Sequence, residues 1–271
     1  MGFSSAVAEP NKLGESALSG ERGTVVLLHG LIRTSASMNR MAGKLRAAGY
    51  ATCNLGYPST DYPLAELAAN FVLPAIQRCI AELPAAQRDR PLNFVTHSMG
   101  GIIVRQLVAT GALVAINRDD SGRKSSDRPA LARVVMLGPP NTGSELVDRL
   151  GKLWLFRKMN GPAGEQLITG ENGFIATLGS ASFELGIIAG TRSYSLLSKL
   201  IPGDDDGKVG VARAKLDGMS DFITLPVTHT FMMRNRAVIS QTLEFLQNGR
   251  FALSAGAETG GEAGYLEHSG R

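Results

Sequence analysis

Six short apolar runs spaced along the chain form the clearest pattern in the sequence. The first covers residues 24–28, is rich in β-branched side chains and ends at His29-Gly30. Uninterrupted runs of this length are typical of strands that are buried on both faces of a parallel sheet. Five further runs predict strands over residues 50–55, 91–96, 133–137, 185–189 and 222–227.

The segments between these runs carry apolar residues three or four positions apart, which is the spacing of an amphipathic helix. Residues 35–48 show it first, and Gly49 follows as a C-cap. Helices are also predicted over residues 64–83, with a kink at Pro74, and over 99–108 and 235–248. Strands that alternate with helices predict an α/β fold, with a doubly wound, mostly parallel sheet and helices on both faces.

One long stretch, residues 143–183, breaks this alternation. We interpret it as a small helical cap over a site, because long loops inside a compact domain are usually functional or disordered. The alternative is an ordinary crossover helix followed by a mobile loop, with Trp154 in the core. The sequence then divides into an N-terminal extension (1–23), an α/β domain (24–250) that holds a polar loop (117–128), and a flexible tail (251–271).

Composition narrows the class of protein. Of the 271 residues, 44% are hydrophobic and 19% are charged, which excludes a disordered or collagen-like chain. The 28 Lys and Arg residues are scattered among 24 Asp and Glu residues, so no nucleic acid partner is expected. No apolar run approaches the roughly 18 residues of a membrane span, and residues 1–22 lack a signal-peptide core. We therefore expect no integral membrane association and a cytoplasmic location, whereas the oligomeric state is not indicated.

The two cysteines fall in a predicted strand, at Cys53, and in a predicted helix, at Cys79. A single pair cannot build the disulfide framework of a small secreted protein. We expect both to be buried thiols that act as small hydrophobic side chains.

The segment from Thr96 to Gly101 carries the strongest chemical signal. Ser98 lies between a predicted buried strand and an apolar helix, where a sharp turn would project its hydroxyl from the top of the sheet. Such a turn requires small residues on either side of the serine, and Gly100 and Gly101 meet that need. Thr96 stands where the G-x-S-x-G pattern has its first glycine. The alternative role for Ser98 is that of a helix N-cap.

A serine nucleophile requires an imidazole base and a carboxylate that orients it. Among the histidines, His229 follows the last predicted strand and is the favoured base. The others fit less well: His97 should point away from its neighbour Ser98, His29 lies in a loop, and His268 lies in the tail.

The favoured acid is Asp206, because the glycine that follows it permits the turn that would aim its carboxylate at the histidine. Asp204, Asp205 and Asp221 are the competing carboxylates. A solvated loop or a weak calcium site is the alternative interpretation of the aspartate triplet, which lacks EF-hand spacing, and no metal is predicted.

The residues that follow the other strands complete the predicted site. An oxyanion would need backbone N–H donors, and those of Leu31 and Met99 are expected to face each other. Several more residues are expected to line the substrate site: His29, Gly30, Tyr57, Asn141, Thr142 and Trp154.

These motifs together resemble the lipase and esterase branch of the α/β-hydrolase superfamily. Residues 27–30 resemble its oxyanion loop, residues 96–100 its nucleophile elbow and residues 206–209 its acid-bearing turn. The order Ser98, Asp206, His229 is also the family's order. The resemblance implies the α/β-hydrolase fold and a serine hydrolase that cleaves carboxylic esters, small or lipid-like and with an apolar acyl group, without a cofactor. An acyltransferase that uses the same acyl-enzyme, or a catalytically silent binding protein, are the alternatives.

Overall fold

The sheet organises the molecule. The computed structural model describes residues 22–88, 90–115, 131–171 and 173–252. Within these residues, six parallel strands form one sheet in the order β2-β1-β3-β4-β5-β6. They are β1 (Thr24–Leu28), β2 (Ala51–Leu55), β3 (Leu92–His97), β4 (Leu131–Leu137), β5 (Glu184–Gly190) and β6 (Asp221–Leu225). The predicted α/β fold with its parallel sheet is confirmed, and each strand lies within two residues of its predicted limits.

Helices connect the strands. The α-helices are α1 (Asn39–Ala47), α2 (Leu64–Glu66), α3 (Leu73–Glu82), α4 (Ala85–Arg88), α5 (Met99–Ala109), α6 (Ala112–Ala115), α7 (Glu145–Leu150), α8 (Trp154–Glu165), α9 (Val211–Ala214) and α10 (Arg236–Asn248). The predicted kink at Pro74 takes the form of a π-helical turn, Leu67–Val72, that joins α2 to α3. Proline cannot donate the hydrogen bond that an α-helix needs at this point, which accounts for an irregular turn just before it.

The sheet is covered on both faces, as the apolar strands predict. Val26 and Leu28 of β1 pack into one hydrophobic cluster with α5, whereas Val25 and Leu27 pack into a second cluster with α1 and α10. The strand order reverses at β1, which lies between β2 and β3. Parallel sheets bind ligands at the carboxyl ends of strands beside such a reversal. The loops that follow β1 and β3 are therefore the expected location of the site.

The stretch predicted to form the cap contains α7, α8 and a 3-10 turn at Phe174–Leu178. Gly161 bends α8, with φ of 63°, at a point where a Cβ would lie only 1.7 Å from the Thr60 carbonyl oxygen. Trp154 is 71% exposed on the outer surface. The alternative that places Trp154 in the core is therefore wrong.

The two cysteines form a disulfide, which corrects the prediction of two free thiols. Helix α3 packs over β2 and brings the Cα atoms of Cys53 and Cys79 to 6.0 Å, a distance that suits a disulfide. The sequence alone could not show this approach, because it depends on how the helix crosses the strand.

One helical stretch, Leu64–Glu82, has the length and mean hydropathy of a membrane span. It is not visible as an uninterrupted apolar run, because polar residues such as Glu66 and Arg78 lie within it. Helices in the core of a globular protein share these properties, and Leu64, Leu67 and Ile76 are fully buried here. The predicted extension and tail lie outside the described residues, apart from residues 22–23 and 251–252, and so does the predicted loop at 117–128.

Candidate active site

Ser98 occupies a strained turn between β3 and α5. Its φ of 53° and ψ of −126° lie outside the regions that most L-residues adopt. Among the described non-glycine residues, only Ile32 also has a positive φ. The Ser98 N–H donates to the Leu137 carbonyl at 2.8 Å, which ties the turn to β4. Strain of this kind persists where the surrounding structure imposes it, and it often marks a functional site.

Glycines permit the close approach of the neighbouring backbone. A Cβ on Gly100 would lie 2.8 Å from the Leu28 carbonyl oxygen, and a Cβ on Gly30 would lie 3.0 Å from Ser98 Cβ. Thr96, which departs from the G-x-S-x-G pattern, is fully buried. A Cβ on Gly101 would lie 3.3 Å from Thr96 Oγ1 and 2.9 Å from Met136 Sδ, so α5 packs closely against β3 and β4 at this point.

Asp206 and His229 form a buried pair. The His229 Nδ1 lies 2.7 Å from Asp206 Oδ2, and the side chains are 5% and 1% exposed respectively. The other carboxylate oxygen, Oδ1, accepts hydrogen bonds from the N–H groups of Lys208, at 3.0 Å, and Val209, at 2.8 Å. Gly207, with φ of 98°, permits this tight turn. Both carboxylate oxygens are thus committed, and the carboxylate is held against the imidazole.

The structure brings this pair to the serine. Ser98 and His229 line the same cavity, whose volume is about 230 Å³. No hydrogen bond between Ser98 Oγ and the His229 ring is present among the described residues. Catalytic hydrogen bonds are often long in the absence of substrate, so the arrangement remains compatible with proton transfer.

His97 lies behind His229. Its Nε2 is 3.0 Å from the His229 carbonyl oxygen, and the two rings are 4.8 Å apart between centroids. Burial and the neighbouring His229 and Arg33 lower the pKa of His97 well below its ordinary value. A neutral ring with a carbonyl beside Nε2 must carry its proton on Nε2. His97 therefore supports the backbone of His229, a contact that the sequence did not suggest.

Two backbone N–H groups are candidate donors to an oxyanion. Met99 is the first residue of α5, where N–H groups have no partner within the helix. Leu31 lines the cavity in the loop after β1. Among the described residues, neither the Leu31 nor the Met99 N–H donates a hydrogen bond to another protein group. Both donors thus remain free for a ligand.

His29, Gly30 and Tyr57 do not line this cavity, contrary to expectation. His29 is fully buried, its ring stacks on Tyr57 at 4.1 Å, and the Tyr57 hydroxyl donates to the His29 carbonyl. The His29 Nδ1 lies 2.9 Å from the Gly30 carbonyl, and the Tyr57 N–H donates to Nε2. Burial lowers the pKa of His29, which agrees with a neutral ring that both donates and accepts. His29 and Tyr57 hold the loop that carries Leu31.

Asn141, Thr142 and Trp154 also lie outside the cavity, although their neighbours Pro140, Ser144 and Phe156 line it. The Asn141 amide donates to the Ala214 carbonyl, and the Thr142 N–H donates to the Arg213 carbonyl. These contacts join the strand exit to α9, and Asn141 and Thr142 line a second cavity beside Arg105.

The cavity walls were mostly missed by the sequence analysis. One wall is apolar and comes largely from the cap and the segments beside it: Leu146, Val147, Phe156, Met159, Leu167 and Val209. Arg33 and Lys208 are the strongly basic residues that line the cavity. The sequence showed the helical spacing in the cap. It did not show which face of the helix lines the cavity.

A parallel α/β sheet with a strained serine after β3 and a His–Asp pair near the ends of β5 and β6 has the layout of an α/β hydrolase. The chain belongs to the alpha/beta hydrolase family, whose family model matches residues 25–239. Among proteins with curated descriptions, none matches the sequence significantly.

Solved structures with this fold include several lipases and esterases. Bacillus licheniformis lipase BlEst2 in mature form is 20% identical, with a TM-score of 0.57 over 83% of this chain and 91% of that one. The metagenomic carboxyl esterase MGS0156 is 21% identical, with a TM-score of 0.52 over 84% and 70%. Phospholipase PlaB from Legionella pneumophila is 17% identical, with a TM-score of 0.58 over 83% and 59%, so this chain spans about three-fifths of it. At these identities the similarity shows the fold alone.

Proposed function

We propose that the protein is a serine hydrolase that cleaves carboxylic esters through an acyl-enzyme. One observation carries the proposal: His229, held in a buried 2.7 Å pair with Asp206, lines the same cavity as a serine on a strained turn. A capping serine or a solvated aspartate loop would not require either the strain or the burial.

The chemistry follows from these positions. Ser98 Oγ attacks the ester carbonyl while His229 Nε2 takes its proton, and Asp206 keeps the imidazole in the tautomer that can accept it. The N–H groups of Leu31 and Met99 stabilise the oxyanion. The protonated His229 then gives its proton to the leaving alcohol, and water releases the acid from Ser98 by the same route.

The walls of the cavity favour an ester with an apolar acyl chain. Phe156, Met159 and Leu167 supply surface that an alkyl chain would remove from water, at about 0.8 kcal/mol per methylene group. The names of the structural neighbours, a lipase, a carboxyl esterase and a phospholipase, are consistent with ester cleavage.

A fluorophosphonate probe tests the assignment. We expect a covalent adduct on the peptide that contains Ser98, and loss of both adduct and ester turnover in Ser98→Ala, with turnover lower by several orders of magnitude. Ser144→Ala is the matched control, because Ser144 lines the same cavity but its hydroxyl donates to the Lys208 carbonyl; it should retain the label. A label on another serine, or turnover that survives in Ser98→Ala, contradicts the proposal. Product analysis with a competing alcohol separates hydrolysis from acyl transfer.

A further inference from the structure

Two cationic side chains line the cavity that holds Ser98. Arg33 extends from the loop after β1, two residues beyond Leu31, and Lys208 follows Asp206 by two residues. They thus come from the two loops that carry the proposed oxyanion donor and the proposed acid. The mechanism proposed above uses neither of them.

Neither cation is neutralised. Among the described residues, Arg33 and Lys208 form no ion pair, whereas Arg213 pairs with Glu145 at 2.5 Å. Asp206, the carboxylate nearest to Lys208 in the chain, already binds His229 and two backbone N–H groups. Two positive charges at one cavity without an acidic partner repel each other, and a bound anion would relieve that repulsion.

Electrostatics within the protein agree with this arrangement. The surrounding protein lowers the pKa of Lys208, and the positive charge of Arg33 lowers it further, against the opposing effect of Asp206. Partial burial and the charge of Arg234 lower the pKa of Arg33 in the same way. Arg33 thus acts on Lys208 as a nearby like charge.

The backbones that carry the two cations are held in place. The Ser144 hydroxyl donates to the Lys208 carbonyl at 3.0 Å, and the Lys208 N–H donates to Asp206 at 3.0 Å. On the other side, the Ile32 N–H donates to Ser59 Oγ at 3.2 Å. Both side chains therefore start from positions that are fixed relative to Ser98, as selection of a substrate requires.

From this geometry we infer that Arg33 and Lys208 form an anion subsite, and that preferred substrates are esters of an apolar acid with an alcohol that carries a carboxylate or phosphate. The inference rests on the proposed ester hydrolysis. The apolar wall that includes Phe156 and Met159 accommodates the acyl chain, so the charge belongs to the alcohol.

Four octanoyl esters test the inference. Their three-carbon alcohols end in a hydroxyl, a carboxylate, a phosphate or a trimethylammonium group. We expect kcat/KM to be about tenfold or more higher for at least one anionic ester than for the neutral one, and lowest for the cationic one, because a hydrogen bond to a charged group corresponds to roughly ten- to a hundredfold. Comparison of the carboxylate with the phosphate identifies the preferred anion. Equal values for all four esters overturn the inference.

Charge-neutralising variants locate the preference. Arg33→Gln and Lys208→Gln should each reduce the anionic-to-neutral ratio of kcat/KM about tenfold, whereas Lys44→Gln, on an exposed position of α1, should leave it unchanged. In the wild type the ratio should also fall as NaCl is raised, because salt screens the attraction. An anionic-to-neutral ratio that changes neither with salt nor in the two variants rules out the subsite. The salt series uses the wild type alone, so it remains informative if a variant fails to fold.

The two proposals fail in different ways. If Ser98 is labelled and the neutral ester is cleaved as fast as the anionic ones, only the subsite is wrong. If Ser98 is not labelled and no ester is cleaved, the proposed function is wrong. Calorimetry with octyl phosphate then still tests the subsite: binding that is weakened in Lys208→Gln supports it, and no binding excludes it.

Discussion

Replacement of Asp206 by asparagine tests whether the carboxylate determines which ring nitrogen of His229 carries the proton. In the wild type, Oδ1 accepts two backbone N–H groups and Oδ2 faces His229 Nδ1. An asparagine would keep its carbonyl oxygen toward the two N–H donors and so turn its NH2 group toward the imidazole. The His229 Nδ1 would then accept a hydrogen bond, and the ring proton would move to Nε2. A ring with its proton on Nε2 cannot take the proton of Ser98.

The size of the effect follows from the cost of the opposite orientation. If the amide turned over, the N–H groups of Lys208 and Val209 would face an NH2 group, and each buried donor would lose about 1–3 kcal/mol. The total of ~2–6 kcal/mol corresponds to a fall in kcat/KM of roughly 30-fold to about 25,000-fold. Loss of the negative charge that stabilises the imidazolium adds to this. We therefore expect Asp206→Asn to lie near the upper end, as in other Ser-His-Asp triads.

The assay is kcat/KM on a neutral chromogenic ester at neutral pH, together with a thermal melt that checks the fold. Asp204→Asn is the matched control, because Asp204 is exposed and lies two residues away; its activity should match the wild type. A folded Asp206→Asn enzyme that loses less than about tenfold would refute both the orientation argument and the assignment of Asp206 as the orienting acid.

Three further predictions concern stability. Replacement of Cys53 and Cys79 together by Ser should lower the free energy of unfolding by about 3.5 kcal/mol, from loop closure over 26 residues; denaturant titration measures it, and an unchanged midpoint contradicts it. Gly100→Ala should leave the protein inactive or unfolded, because its Cβ would meet the Leu28 carbonyl, whereas Gly43→Ala, with nothing within 4 Å, should be tolerated. Arg105→Met should cost about 3 kcal/mol or more in a chemical melt, because its buried guanidinium donates to three backbone carbonyls; a loss below about 1 kcal/mol would show that those carbonyls find other donors.

Local steric rules explain how much of the fold could be predicted. A strand buried on both faces is mostly apolar, so β1 is visible as a run without reference to the rest of the chain. The turn at Ser98 needs glycine on its helix side because the β1 backbone passes within van der Waals distance of Gly100. That requirement is also visible in the sequence. The strand is determined by its own short segment. The turn is determined at one position, Gly100, that tolerates only glycine.

The predictions that were wrong depended on contacts between distant segments. Tyr57 follows a strand, as a residue of the site rim would, but its hydroxyl reaches back to the His29 carbonyl. Cys53 and Cys79 meet only because α3 crosses β2. Disulfides are rare in the cytosol, so this bond and the predicted cytoplasmic location point in opposite directions. The spacing of residues in a single sequence does not distinguish a Tyr57 that contacts His29 from one at the site rim, or a disulfide from two free thiols.

The position of α8 explains why the residues that line the cavity were hardest to predict. Gly161 bends α8 where the backbone passes the Thr60 carbonyl, and ahead of the bend Phe156 and Met159 line the cavity that holds Ser98, whereas Trp154 is exposed and lies outside it. The proposed reacting groups, in contrast, follow β3 and β5 and the end of β6, whose register is fixed by the sheet. The proposed chemistry therefore lies at strand ends that the sequence reveals. We expect specificity to depend instead on the packing of one bent helix against one loop, so that a change at Gly161 alters the ratio of kcat/KM between esters before it alters the Asp206–His229 pair.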